Sequence, residues 1–415
     1  MNMGRFQRSL NKLNEYTVEG KEVTRLAYSR EEKRAKEYII KQFEHEGLTV
    51  KVDAVGNITA RREGTDASLK PVAFGSHIDS VYEAGQYDGA MGVIASLEII
   101  RFLNEENITT ERPLEVIVFT GEESSRFGIA TIGSRIMTGR LNLVESGHLE
   151  DKKGITLKKA LEDNHFNIEN YHQAVRTSAD QHAFIEMHIE QGPVLEIENK
   201  DIGIVHAIAA PLRLSLEIKG EAGHSGTTPF KYRKDALAAA AEIALEVESA
   251  AREEEKNGTL ATVGVLDINP GAMNIVPGSA GMQIDIRSVS VESREKVYQK
   301  ITDKIESVSK AREIEINTSL LTKEEPVDLS DTLVEAVEEI SVNNGYTFKH
   351  MNSGAGHDAM NMAHICPTAL IFVPSVKGIS HNPKEFTHLN DIEKGIIVMK
   401  DLILKTACNE AGNLK

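Results

Sequence analysis

Residues 72–79, Val-Ala-Phe-Gly-Ser-His-Ile-Asp, open the segment on which the fold turns. Val72–Gly75 reads as a short β-rich run, Ala90–Leu103 as a helix, and Leu114–Thr120 as a buried strand. Strand, helix and strand in that succession predict an α/β sheet sandwiched between helices. The pattern extends upstream. Ser29 and Glu32 have capping-box spacing and open a helix to about Glu46, with Gly47 beyond its end. β-rich runs follow at Leu48–Asp53 and Asn57–Ala60, and downstream Ala183–Ile189 reads as another strand.

Near residue 206 the composition changes character. The chain then reads as strand (Arg213–Lys219), helix (about Lys234–Glu255), strand (Ala261–Ile268), strand (Gly281–Arg287), helix (about Ser293–Ala311) and strand (Glu313–Ser319). That β-α-β-β-α-β order is the ferredoxin-like pattern of a small domain. Afterwards the α/β alternation resumes, with a helix near Leu333–Val342, a strand at Ala369–Val373 and a last helix from about Asn390. The expected organisation is an α/β domain over residues 1–208 and 325–415, interrupted by an inserted α+β domain over residues 209–324.

At 415 residues the chain is long for one domain, and 40% hydrophobic with 27% charged residues suits a globular core. No run of about 18 apolar residues predicts a membrane helix. Met1–Leu13 is polar and lacks the apolar stretch of a secretory signal, so a cytoplasmic protein with no membrane partner is expected. Cys366 and Cys408 are too few for a disulfide framework and are not spaced as thiolate zinc ligands. Any metal must therefore be held by histidine and carboxylate. A net charge of −16 argues against a nucleic-acid partner, which needs a basic face.

Chemistry concentrates where predicted strands end, and in open α/β sheets sites form beyond the carboxyl ends of the strands. His77 and Asp79 follow the Val72 strand, two residues apart, so Asp79 can orient the imidazole. Asp88 lies in a Gly-rich turn before a helix. Glu122 and Glu123 follow the Leu114 strand, one able to ligate while the other faces a bound water. His188 ends the Ala183 strand, and His381 lies in a loop after Ala369–Val373. Each alone has an ordinary reading: a surface histidine in a turn, a solvated acid pair, a helix cap. Together, His77, Asp88, Glu123, His188 and His381 supply the nitrogen and oxygen donors that two ions sharing a bridging carboxylate require. Such a set suits zinc, or manganese, cobalt or nickel.

The segments Gly-Ser-His-Ile-Asp-Ser (75–80), Tyr-Asp-Gly-Ala-Met-Gly-Val (87–93), Gly-Glu-Glu-Ser-Ser-Arg-Phe (121–127), His-Ile-Glu-Gln-Gly-Pro-Val-Leu-Glu (188–196) and Gly-His-Asp-Ala-Met (356–360) carry a resemblance. They resemble the hydantoinase/carbamoylase branch of the M20 metallohydrolase family, over nearly the whole chain from about Thr24. The resemblance implies that His77 and His188 hold one ion, Glu123 and His381 the other, and that Asp88 bridges them. Glu122 would be the general base and Asp79 the orienter of His77. The inserted domain would be a lid that also forms a homodimer and brings His224, Asn274 and Arg287 to the substrate, with His224 arriving from the partner subunit to stabilise the oxyanion. Gln191, Gly354 and Ala355 would line the pocket. Near His224, Gly223 and Ser225 depart from the sequence usual in that branch, as does Ala210-Pro211-Leu212.

The implied reaction is hydrolysis of a ureido or amide C–N bond in a small molecule, with two divalent ions activating water. An N-carbamoyl-L-amino acid is the first expectation and allantoate the alternative, with β-ureidopropionate and N-acyl amino acids behind them. A metal-binding protein of the same fold without turnover is disfavoured by the intact Glu122.

Overall fold

Val72–His77, Leu114–Phe119, Ala183–Ile189 and Thr368–Val373 are buried along their whole length, and all four read as nearly continuous apolar runs. Strands of that kind need helices on both faces, which is the parallel-sheet arrangement. In the computed structural model, which describes residues 1–408, they form the parallel centre of a nine-stranded sheet. The sheet order is Thr49–Val52, Ile58–Arg62, Leu114–Phe119, Val72–His77, Ala183–Ile189, Thr368–Val373, Ile202–Ile208 and Val327–Asp328. Phe348–Ser353 also pairs with Ile202–Ile208.

Side chains alternate across the sheet with a period of two. Ala183, Ile185, Met187 and Ile189 join the main core with helices Ala90–Glu105 and Leu389–Ala407. Phe184 meets Phe119 edge-on, with ring centroids 5.6 Å apart. Glu186 accepts the Ala359 N–H from the helix Asp358–Met362. This α/β/α architecture is the fold class read from the sequence.

The chain divides into two compact units: Met1–His206 with the chain from Asp328 onward, and Ala207–Val327. The second unit holds a four-stranded antiparallel sheet in the order Glu315–Lys323, Ala210–Lys219, Ser279–Ser288, Leu260–Asn269. Its helices, Ala236–Glu254 and Val291–Arg312, bury Ala239, Ile243, Val247, Val297 and Ile301 against the sheet. That is the ferredoxin-like order.

Several elements go beyond the sequence reading. Val72–His77 runs two residues past Gly75, so His77 is itself the last residue of its strand. Helix Met3–Asn14, strands Ile202–Ile208 and Phe348–Ser353, and the helical turns between residues 132 and 174 were not anticipated. Leu143–Ser146 and Leu157–Asp163 are too short to display a helical period. They are started instead by side-chain caps, Asn142 on Val144 N–H and Thr156 on Lys159 N–H.

Candidate metal centre

His77 and His188 sit at the carboxyl ends of neighbouring parallel strands. Each ring is anchored through Nδ1 to a main-chain carbonyl, His77 to Asp79 at 3.0 Å and His188 to Ile189 at 2.9 Å. Both turn Nε2 toward the same oxygen of Asp88, Oδ1, at 3.5 Å and 3.1 Å. The other oxygen, Oδ2, faces His381 Nε2 at 3.3 Å, and Glu123 Oε1 lies 3.3 Å from that same nitrogen. Two donor groups result, His77–Asp88–His188 and Asp88–Glu123–His381, each with its atoms within 4.8 Å of one another and sharing Asp88. The structure therefore brings all five sequence-derived ligand candidates together. His381 alone is open, with 49% of its side chain exposed, so the cluster is approached from its side.

The turn carrying Asp88 requires glycine. Gly89 has φ +60°, and a Cβ there would lie 2.3 Å from His77 Cε1. Gln191 and His381 also have left-handed backbones, φ +57° and +53°, at a cost of about 1–2 kcal/mol each for non-glycine residues. Gln191 Nε2 donates to Asp88 Oδ2 at 2.7 Å, while its buried Oε1 has no hydrogen-bond partner.

Asp79 meets the His77 ring more closely with its main chain than with its side chain. Its carboxylate is 3.7 Å from His77 Nδ1, and the ring is held by the Asp79 main-chain carbonyl instead. The carboxylate accepts the N–H groups of Glu122 and Glu123, at 3.2 Å and 3.0 Å, and so fixes the turn that presents both acids. Glu122 Oε2 then stands 3.8 Å from His77 Nε2.

Sequence reading missed Glu385. This buried acid accepts the N–H groups of Tyr87 and Asp88 at 2.9 Å and 3.1 Å, and Ser380 Oγ lies 3.0 Å from both Glu385 Oε2 and Asp88 Oδ2. It ties the Asp88 turn to the His381 loop. Its only trace in the sequence is an acid four residues after His381. His357 entered the sequence reading only as part of the Gly-His-Asp-Ala-Met segment. Its ring lies 4.6 Å from that of His188, and its Nε2 is 3.1 Å from Ser353 Oγ. Ser353 Oγ in turn donates to the Ala355 carbonyl, which shapes the Gly354–Ala355 loop.

The electrostatics are those of a cation site. Burial raises the Glu122 carboxyl well above its usual range, and Glu123, Asp358 and Asp79 add to it. Burial likewise pushes Asp79 up to about 6. Hydrogen bonding to Asp88 and Glu123 raises His381 to about 11. Burial opposes charge on His77, yet Asp88, Glu122 and Asp79 hold its imidazole well above the ordinary range. Imidazoles thus act as counter-charges to buried carboxylates. Divalent cations fit the same place: the donors are histidine nitrogen and carboxylate oxygen, one carboxylate spans both groups, and a buried amide oxygen beside them lacks a partner.

In the second unit, Gly223–His224 pairs with Ile275–Val276, and Ser225 N–H donates to the Asn274 carbonyl at 3.0 Å, so His224 and Asn274 are neighbours. Arg287 Nε donates to Asp285 at 3.0 Å, an acid that Arg213 also approaches.

Comparison with known proteins agrees with this chemistry. Residues 73–405 match the profile of Peptidase family M20/M25/M40. The chain belongs to that family. It is 44% identical over 407 residues to an uncharacterized hydrolase of Haemophilus influenzae, covering 98% of this chain and 99% of that one. It is 37% identical over 388 residues to the N-carbamoyl-L-amino acid amidohydrolase of Geobacillus stearothermophilus, covering 94% of each. The crystal structure of a hydantoinase/carbamoylase family amidase from Burkholderia multivorans superimposes with a TM-score of 0.90 at 33% identity, covering 99% of both chains. Other relatives are named ureidoglycolate hydrolase and allantoate amidohydrolase. The protein is a hydrolase acting on C–N bonds. Among the described residues no helix is long and apolar enough to cross a membrane.

Proposed function

We propose that the chain is a dinuclear metal-dependent amidohydrolase that cleaves the ureido C–N bond of N-carbamoyl-L-amino acids, giving the L-amino acid, carbon dioxide and ammonia. The observation that carries this is the division of Asp88, whose two oxygens face two separate histidine-containing donor groups. His77 and His188 would hold one ion, Glu123 and His381 the other, and Asp88 both. The ions, zinc or else manganese, cobalt or nickel, would supply Lewis acidity toward a water and the scissile carbonyl.

The chain's own groups perform the remaining steps. Glu122, whose buried carboxyl has a raised proton affinity, takes the proton of the attacking water and delivers it to the departing nitrogen. Asp79 fixes that acid in place through the Glu122 and Glu123 N–H groups. Arg287 would form a two-pronged clamp on the substrate carboxylate. Asn274, Gln191, Gly354 and Ala355 would complete the pocket. His224, supplied by the second copy of a homodimer built on the Ala207–Val327 unit, would stabilise the developing oxyanion.

Relatives named allantoate amidohydrolase and ureidoglycolate hydrolase favour a second reading, in which the ureido substrate is one of those. The test is ammonia release from purified, manganese-loaded enzyme. The substrates compared are N-carbamoyl-L-methionine, its D-isomer, allantoate, ureidoglycolate and N-acetyl-L-methionine. Preferential turnover of the L-carbamoyl compound supports the first reading. Preference for allantoate or ureidoglycolate replaces it with the second, and turnover of the acetyl compound alone removes the ureido assignment.

A further inference from the structure

A second histidine cluster lies in the first unit, built from residues that take no part in the centre described above. His206 ends that unit on strand Ile202–Ile208, and His350 lies on the adjoining strand Phe348–Ser353. Their facing nitrogens, His206 Nε2 and His350 Nδ1, are 2.6 Å apart, with ring centroids at 4.7 Å. On its far side His350 Nε2 meets Glu338 Oε2 at 2.9 Å. Glu338 belongs to helix Asp331–Asn343, which also places Asp331 two turns earlier on the same face, within electrostatic reach of His206. His350 is exposed, and His206 and Glu338 are half-buried.

The arrangement has the logic of a metal site. A histidine that donates one ring N–H to a carboxylate is fixed in the tautomer that presents the other nitrogen as a lone pair. Glu338 does this for His350, and the lone pair on Nδ1 points at His206. His206 Nε2 donates its proton to that lone pair, and once it gives the proton up or shifts it to Nδ1 the two nitrogens side by side form a chelate. With an ion about 2.0–2.1 Å from each, the nitrogens must part by about 0.3 Å at a right-angled site and about 0.7 Å at a tetrahedral one, which rings at a surface can yield. Two imidazoles with a carboxylate nearby suit copper(II), zinc or nickel.

We propose that His206 and His350, oriented by Glu338, form a separate transition-metal site at the end of the strand from which the chain leaves the first unit. An ion there ties strand Ile202–Ile208 to Phe348–Ser353 and, through Glu338, to helix Asp331–Asn343.

The probe is copper(II), added in one equivalent to enzyme carrying two equivalents of zinc per chain, which occupy the Asp88 centre and give no electron paramagnetic resonance signal. The expected result is a copper spectrum with hyperfine splitting from two nitrogens, with the zinc content unchanged. It should be lost in the His206→Asn/His350→Asn double variant, whose hydrolysis rate without copper is unaltered. Glu338→Gln should weaken copper binding about tenfold, the usual effect of removing the group that orients a histidine ligand. A spectrum identical in wild type and double variant overturns the proposal. So does copper uptake matched by zinc release in both proteins. A Glu338→Gln variant binding copper as tightly as wild type removes the orienting role, and circular dichroism of each variant guards against a trivial loss of folding.

Discussion

Glu385→Ala is the substitution that best tests how the centre is held together. The Glu385 carboxylate receives the N–H groups of Tyr87 and Asp88, in a turn where water is largely excluded. A buried donor left without an acceptor costs about 1–3 kcal/mol, so two of them cost about 2–4 kcal/mol once some water enters the space the side chain leaves. That cost has two possible destinations. If the turn relaxes in the metal-free protein, ion binding must rebuild it, and affinity falls by about 30- to 700-fold. If the turn cannot relax, the same energy is lost from folding. Zinc affinity by competition with a fluorescent chelator, measured beside a urea unfolding curve of the metal-free enzyme, captures both. Because Asp88 faces both donor groups, both ions should weaken together. Glu385→Gln is the counterpart. It keeps one oxygen for the two N–H groups, and Ser380 can accept from the new amide while still donating to Asp88. Burial already pushes the Glu385 carboxyl up, so a neutral amide is a modest electrostatic change. Glutamine should therefore keep zinc affinity within about tenfold of wild type, since the hydrogen bonds to the turn survive. An alanine variant with unchanged affinity and unchanged stability would refute the reasoning. A glutamine variant as impaired as alanine would show that negative charge, not an acceptor for the turn, is what the site needs.

Other outcomes follow from the same geometry. Glu122→Gln should lower kcat by about a hundredfold to ten-thousandfold, the scale of losing a positioned general base, while metal content measured by mass spectrometry stays nearly wild type. Gly89→Ala meets both the left-handed backbone and the His77 ring 2.3 Å from its Cβ. It should cost about 2 kcal/mol in unfolding and lower the bound-metal stoichiometry, read from thermal denaturation and metal analysis. In the metal-free protein hydrogen bonding to Asp88 and Glu123 raises His381 to about 11, so that imidazole is protonated at neutral pH and ion binding must expel its proton. Chelator competition at pH 6 and pH 8 should then show tighter binding at the higher pH, and a flat profile would contradict this. Arg287→Lys keeps the charge but removes the fork, and should raise KM for carboxylate substrates about tenfold with a smaller change in kcat.

What could be read beforehand depended on which physical signal each residue leaves in the sequence. The central strands announce themselves because burial on both faces demands continuous apolar runs, as in Leu114–Phe119. The ligand candidates announce themselves because histidine and carboxylate at the ends of such runs are chemically out of place. The residues that hold those candidates leave no such signal. Asp79 lies two residues from His77, and an extended chain suggests that its carboxylate serves that ring. The strand ends at His77, however, and the chain turns, so the main-chain carbonyl takes the ring and the carboxylate reaches Glu122 and Glu123. No side-chain pattern encodes that exchange, because a backbone carbonyl is present at every position. Glu385 is invisible for the complementary reason. Its partners are backbone N–H groups nearly three hundred residues earlier, at Tyr87 and Asp88, and only the folded chain brings them within reach. The short helices between residues 132 and 174 fail differently, being too brief to show a period and set instead by single capping side chains. The donors of a site are thus legible as residue types, whereas their precision rests on contacts between side chains and backbone that sequence spacing does not record. In this chain that second set converges on Asp88, the one residue both donor groups share, so errors in placing it would be felt at both ions at once.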